Sequence, residues 1–338
     1  MKRRGLVAVS ALLVACTTPS TQATSHSSAA PSAHTSTVPP TETPKETTGP
    51  PIPIHSLRGL IVFSNETRDI WSMRADGTHV RRLTKSPAQE FDPTISPDGS
   101  LIAYRHQTTD DTSTEIFVMR SDGSDQRNLT RNAVSDWGPA FSPDGKLIAF
   151  NSAMGTGGFG LLGYVVSPDG SGLRRLGRHY VEYPAWSPDG RRIAFMAQEP
   201  GATGTNPDYN IFVMNADGSG VRRLTDAPGE DGWPAWSPDG SQIVFSSARD
   251  DCSVSDAPGC LTSGDIGPRL DVWVVEPDTG RQRRVTSEFG QFFAWSPDGS
   301  SILVAGAAAM YVIRPDGTGM TELPVVGVPH PLFPDWIP

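Results

Sequence analysis

The sequence predicts an all-β fold: a six-bladed β-propeller of four-stranded blades, occupying residues 57 to 338 and closed by pairing of its C-terminal strand with its N-terminal blade. Three observations predict it. A phrase of the form Pro-x-(Ile, Phe or Trp)-Ser-Pro-Asp-Gly, with Phe293 for the first proline in its last copy, recurs five times, with a truncated sixth copy at the end of the chain. A second phrase, built around an aspartate with an aromatic five residues before it, recurs six times. The 282 residues from 57 to 338 then divide into units of about 47, the size of one propeller blade. The 34 glycines and 31 prolines argue against long helices and for many short strands joined by turns.

The first phrase supplies strands a and b of each unit. It runs through Ile95, Phe141, Trp186, Trp236 and Trp295 to the turn aspartates Asp98, Asp144, Asp189, Asp239 and Asp298. Four residues past each aspartate stands Ile102, Ile148, Ile193, Ile243 or Ile302, and two further on Tyr104, Phe150, Phe195, Phe245 or Val304. That alternation reads as a strand. In the turn, proline presets one dihedral, aspartate bonds its own backbone and glycine takes the left-handed position that closes a hairpin. The second phrase supplies strands c and d. Trp71, Phe117, Tyr164, Phe212, Trp273 and Tyr311 precede Asp76, Asp122, Asp169, Asp217, Asp278 and Asp316, and Leu83, Leu129, Leu176, Leu224, Val285 and Leu323 follow at one fixed offset. The first unit lacks a strand a, and the truncated copy Phe333-Pro334-Asp335-Trp336-Ile337 supplies it, so this strand should lie innermost beside Leu60 to Phe63.

These Ser-Pro-Asp-Gly turns, the Ile-Phe-Val-Met-x-x-Asp-Gly strands and the Arg-x-Leu-Thr endings resemble the WD-like repeats of TolB-type six-bladed β-propellers. The resemblance covers nearly all of residues 57 to 338. It implies the fold; members of such families serve as binding modules, protease gating domains and lyases, so function must come from the site. TolB itself carries an α/β domain before its propeller, and this chain has a different sequence there, so it is read as a TolB-like protein and not as TolB.

Residues 1 to 15 read as a signal peptide: Lys2-Arg3-Arg4 is followed by an apolar run too short to span a bilayer. Leu13-Val14-Ala15-Cys16 resembles the lipobox of bacterial lipoproteins, which implies cleavage before Cys16 and acylation, palmitate included, of that residue. Residues 16 to 56 then form a tether. From 17 to 56, 25 of 40 positions are Ser, Thr or Pro, too polar to bury a core. Lipid anchoring to the bacterial cell membrane (outer leaflet) or to the outer membrane, facing the periplasm or the exterior, is the expectation. The formal charge of −9 disfavours nucleic acid and anionic lipid surfaces as partners.

Alternating strand direction puts the a–b and c–d hairpins on one face and the b–c and d–a connections on the other. All the length variation falls on the second face, which marks it as the functional side. The d–a connections enter the innermost strands and should line the mouth of the central channel. The candidate ligand-binding residues are Glu90, Phe91, Asp92, Asp136, Trp137, Glu182, Tyr183, Asp231, Trp233 and Gln291, with Phe292 beside the last. Aromatic faces interleaved with carboxylates can grip a peptide, a glycan or a cationic group, and they can equally serve as packing between blades.

No catalytic constellation is evident. There is no Gly-x-Ser-x-Gly elbow, the histidines are scattered without metal-ligand spacing, and no metal or cofactor is expected. Residues 155 to 160 match a dinucleotide fingerprint in letters only, because a strand and not a helix follows. Arg81, Arg127, Arg174, Arg222 and Arg283, five residues past five of the six hairpin aspartates, read as edge charges that deter aggregation. Cys252 and Cys260, nine-residue neighbours in the longest b–c insertion, should pair as a disulfide in an oxidising compartment. The leading expectation is a monomeric, membrane-anchored binding or scaffold protein recognising a protein, peptide or glycan of the cell envelope. The alternative is an enzyme, a polysaccharide lyase or hydrolase acting on envelope or extracellular glycans.

Overall fold

The computed structural model describes residues 49–107, 113–156, 160–198, 209–227, 229–249, 270–287, 290–306 and 309–338. Cys16, Cys252, Cys260 and residues 157–159 of the glycine cluster lie outside them. After a single 3-10 turn at Ile54–Ser56, the described chain is all strand and turn. The first blade holds β1 (Leu60–Ser64), β2 (Ile70–Arg74) and β3 (Arg81–Arg82). The second holds β4 (Gln89–Ile95), β5 (Leu101–Gln107), β6 (Glu115–Arg120) and β7 (Arg127–Asn128). The third holds β8 (Asp136–Phe141), β9 (Ile148–Ser152), β10 (Leu162–Val166) and β11 (Arg174–Tyr180). The fourth holds β12 (Glu182–Trp186), β13 (Arg192–Gln198), β14 (Tyr209–Asn215) and β15 (Arg222–Arg223). The fifth holds β16 (Asp231–Trp236), β17 (Ile243–Ser247), β18 (Asp271–Val275) and β19 (Gln282–Thr286). The sixth holds β20 (Phe292–Trp295), β21 (Ile302–Ala305), β22 (Met310–Ile313) and β23 (Thr321–Leu323), and β24 (Leu332–Ile337) ends the chain.

These strands make six antiparallel four-stranded sheets, five of consecutive strands and one in the order β24-β1-β2-β3. The last strand therefore completes the first blade, pairing Leu60 with Ile337, Ile61 with Trp336 and Val62 with Asp335. Each sheet is sandwiched between two others, which explains why β9, β10, β17 and β18 are buried along their whole length. The apolar residues gather into one cluster per seam between neighbouring blades. Ala103, Ile116 and Val118 of the second blade meet Ile148, Phe150 and Leu162 of the third. The seam between the sixth and first blades joins Leu303 and Val312 to Ile61, Phe63 and Trp336.

The turns form as the sequence expects. In the a–b hairpins the serine hydroxyl donates to the turn aspartate, as Ser96 does to Asp98 Oδ1 at 2.6 Å and Ser296 to Asp298 at 2.6 Å. Gly99, Gly145, Gly190, Gly240 and Gly299 sit at φ between 69° and 71°. In the c–d turns the aspartate accepts the backbone N–H and hydroxyl two residues on, as Asp122 does from Ser124. These hydrogen bonds hold the turn carboxylates low, Asp98 down to about 2.

Two expectations are corrected by the packing. Residues 49 to 56, assigned to the tether, pack on the sixth blade: Ile52 is buried, and its N–H donates to Thr321 Oγ1 at 2.8 Å and to Gly319 O at 3.2 Å. Apolar Ile52, Ile54 and Leu57 give this segment the buried surface that the preceding stretch lacks. The outer-strand arginines are also more than edge charges. Arg81 donates to Asp122 O at 2.8 Å and Arg127 to Pro168 O at 2.7 Å, so each ties strand d to the c–d turn of the next blade. Arg222 makes the same bond to Pro277 O.

Candidate functional site

The site grows from a defect repeated in the innermost strands. Strands β4, β8, β12, β16 and β24 each carry a proline, which has no N–H to give to the ladder, and in each the register shifts around that proline. The residue before the proline takes a left-handed backbone: Asp92 at φ 49°, Gly138 at 58°, Tyr183 at 47°, Trp233 at 51° and Phe333 at 49°. The sixth blade has Phe293 where the others have proline, and β20 pairs in unbroken register through Phe292. A left-handed conformation at aspartate, tyrosine, tryptophan and phenylalanine is strained, of order 1–3 kcal/mol each. It coincides with a common destination, because all six positions line a cavity of about 150 Å³ in the central channel.

The cavity has two unlike sides. From the fourth, fifth, sixth and first blades come Tyr183, Trp233, Phe292 and Phe333, their rings in contact tilted or edge to face. Ring centroids are 5.8 Å apart for Tyr183–Trp233, 5.5 Å for Trp233–Phe292 and 3.7 Å for Phe292–Phe333. The second and third blades contribute Asp92 and Gly138 instead. Asp92 is 6% exposed, and neither carboxylate oxygen makes an in-line hydrogen bond to a side chain; Arg105 Nε stands 3.1 Å from Oδ2. Burial raises the Asp92 pKa, with the Arg105 guanidinium and the Gly138 amide opposing it. Burial also raises the Tyr183 hydroxyl, assisted by the nearby Asp92 charge. A second carboxylate in the wall, Asp335, accepts Ile95 N–H at 2.8 Å, the Thr94 hydroxyl at 2.9 Å and Trp336 N–H at 2.9 Å.

The sequence-derived candidates thus separate into three groups. Asp92, Tyr183 and Trp233 face the channel, joined by Phe292. Phe91, Trp137, Glu182 and Gln291 are half-buried at the preceding register position of their strands. Of these, Phe91 is already covered, with the Arg105 guanidinium 4.1 Å and the Arg68 guanidinium 5.0 Å from its ring centroid. Glu182 accepts the Tyr209 hydroxyl at 3.0 Å.

Glu90, Asp136 and Asp231, expected at the mouth, lie inside the blades at 0%, 0% and 1% exposure. Each sits six residues after the threonine of a Leu-Thr strand ending. Thr84 Oγ1 accepts Ile70 N–H at 2.9 Å and donates to Glu90 Oε2 at 3.2 Å, which links the first blade to the second. Thr130 and Asp136, and Thr225 and Asp231, repeat the link. Asp136 also accepts Asn132 Nδ2 at 2.7 Å, and Asp231 pairs with Arg249 at 2.8 Å. Burial nevertheless dominates and pushes Asp136 up to about 6. These acids are stitches between blades. The Leu-Thr-to-acid spacing was visible in the sequence and would have identified them.

Phe333, Gly138 and Asp335 are the channel residues that reading the d–a connections missed. The residue-before-proline position, common to five blades, is the signal that finds the first two. Among the described residues no three His, Cys, Asp or Glu side chains converge as a metal site, and no helix is long and apolar enough to cross a membrane.

Comparison with known proteins bears on the same region. Residues 177–253 match the TolB beta propeller domain family. A 60-residue stretch is 43% identical to the Tol-Pal system protein TolB of Anaeromyxobacter dehalogenans; it is 18% of this chain and spans 12% of that protein. In structure the chain is similar to TolB from Acinetobacter baumannii, with a TM-score of 0.63 at 21% identity over 83% of this chain and 67% of that one. It is also similar to a putative TolB from Agrobacterium tumefaciens, with a TM-score of 0.59 at 19% identity over 84% of this chain and 99% of that one. Residues 177–253 thus match the TolB beta propeller domain family, within a six-bladed ring whose fold is similar to that of TolB-like propellers.

Proposed function

We propose that this protein is a binding or scaffold propeller of the bacterial cell envelope that engages a protein or peptide partner at the channel mouth. The observation that carries this reading is the aromatic arc Tyr183–Trp233–Phe292–Phe333, all four of which line one cavity and three of which sit on strained left-handed backbone. Large aromatic side chains that converge at an opening are what protein interfaces use as anchors. The similarity to a Tol-Pal system protein supports the envelope as the setting. Cys16 would hold the protein to the membrane by acylation, and the stretch after it would let the propeller stand away from the surface. A Cys252–Cys260 disulfide would stiffen the long insertion on the same face. Affinity capture from the organism's own envelope, comparing the wild-type chain with a Tyr183→Ala/Trp233→Ala variant, tests the reading: capture should fall at least tenfold in the variant at a temperature where it is still folded, as judged by its own cooperative melting transition.

A further inference from the structure

The channel offers more than an apolar surface, because its aromatic arc faces a buried carboxylate. Asp92 is 6% exposed and lines the cavity, with no in-line side-chain hydrogen bond to either oxygen. Arg105 is the one cation against it among the described residues, and that guanidinium also lies over the Phe91 ring at 4.1 Å. Asp335, the other carboxylate of the wall, is bonded by three neutral donors, two backbone N–H groups and a threonine hydroxyl, which stabilise an anion without cancelling its charge. Two carboxylates therefore lie in the wall with a single guanidinium against them. Tyr183 and Trp233 line the same cavity, and aromatic rings carry the negative quadrupole that attracts a cation.

We propose that the channel is a pocket for one organic cation, the ammonium or guanidinium of a partner's lysine or arginine, held between Asp92 and the Tyr183–Trp233 faces. The inference rests on the channel mouth being the partner-binding surface and specifies what enters it. Size selects the ligand class: about 150 Å³ is well below the roughly 300 Å³ of a pocket for a drug-sized molecule, and so takes the end of one side chain, not a sugar unit. Chemistry selects against calcium, which needs six to eight oxygen ligands where this cavity is lined mostly by proline and aromatic side chains.

The test is calorimetric titration of the full chain with four probes: acetylated, amidated glycine pentapeptides carrying a central lysine, arginine or norleucine, and calcium chloride. Lysine and arginine peptides should bind at least tenfold more tightly than the norleucine peptide, which has nearly the shape of lysine without its charge. Asp92→Asn keeps the side-chain shape and suits the left-handed backbone, so the variant should fold and should lose the preference for lysine over norleucine. Trp233→Leu should weaken lysine binding several-fold while leaving norleucine binding little changed. Equal binding of lysine and norleucine peptides, binding of calcium alone, no binding of any peptide, or an undiminished lysine preference in Asp92→Asn would each overturn the proposal. If the lysine preference is absent while envelope capture still depends on Tyr183 and Trp233, the cation pocket fails and the binding surface stands. If capture does not depend on those residues, the binding surface itself fails.

Discussion

The indole Nε1 of Trp336 donates a 2.8 Å hydrogen bond to the carbonyl of Arg58, 278 positions earlier in the chain. Trp236 and Trp295 instead donate to strand a of the preceding blade, to Ala185 O and Ala235 O at 3.1 Å each. Trp336 departs from that pattern: its indole bonds the segment entering β1 of its own blade, so it fastens the last strand to the first. It is 6% exposed, so Trp336→Ala should cost about 3–5 kcal/mol. Deleting residues 332–338 should do more, because it opens β1 as a bare edge beside the channel. Thermal unfolding of both variants checks this; a deletion that melts like wild type would mean that the ring does not close through β24.

Two c–d turn glycines should differ in their tolerance of alanine. At Gly317, φ is 87° and an added Cβ would lie 2.3 Å from Val285 O of the preceding blade; at Gly280, φ is 73° and nothing lies within 4 Å. Gly317→Ala should therefore destabilise by about 1–3 kcal/mol more than Gly280→Ala, since backbone conformation is common to both and only the first must move a neighbouring strand. Denaturant unfolding of the two variants measures the difference.

Stability should rise as the pH falls from neutral toward about 5. The Asp136 carboxyl is raised from 3.8 to about 6 by burial, so the folded state holds a proton that the unfolded chain releases. The stabilisation from that proton is fully present below 3.8 and is lost as pH rises through 6. At roughly 1.4 kcal/mol per pKa unit it amounts to about 3 kcal/mol at most. Asp92, Asp231, Glu182, Glu230 and Asp335 are raised by burial too and act in the same direction. Below about 4 the exposed turn aspartates, held low by their hydrogen bonds, reverse the trend. Denaturant midpoints between pH 5 and 8 should slope downward, and Asp136→Asn should flatten part of that slope.

Acylation at Cys16 is expected to give stable attachment, since two or more chains suffice where one is marginal. Fractionation of cells carrying the wild-type gene or Cys16→Ser should find the first with the membrane and the second released or retaining its leader. A wild-type protein that is wholly soluble and carries no lipid mass would refute the anchor.

The ring was legible because its elements are dictated locally. A Ser-Pro-Asp-Gly turn closes a tight hairpin wherever it stands, a–b in five blades and c–d at Ser167–Gly170, and the spacing from Ile102 to Tyr104, repeated in every unit, marks strand b. The channel was only partly legible. Tyr183 and Trp233 stood out as aromatics before strand a, yet Phe333 serves the same position and was read only as part of the closing strand. Glu90, Asp136 and Asp231 point inward because a bulge after them reverses side-chain direction, and a register shift leaves no mark on composition. What set the positions apart was proline, whose missing N–H forces the bulge at Asp92, Gly138, Tyr183, Trp233 and Phe333 and not at Phe292.

The most direct measurement places a photo-crosslinking side chain at Trp233 in the channel and, separately, at Arg175 on the outer strand β11, and irradiates the full chain in intact envelopes. Channel binding requires a discrete crosslinked protein species from position 233 and none of that size from position 175. Equal crosslinking from both positions, or crosslinking from 175 alone, would contradict a binding site at the channel mouth.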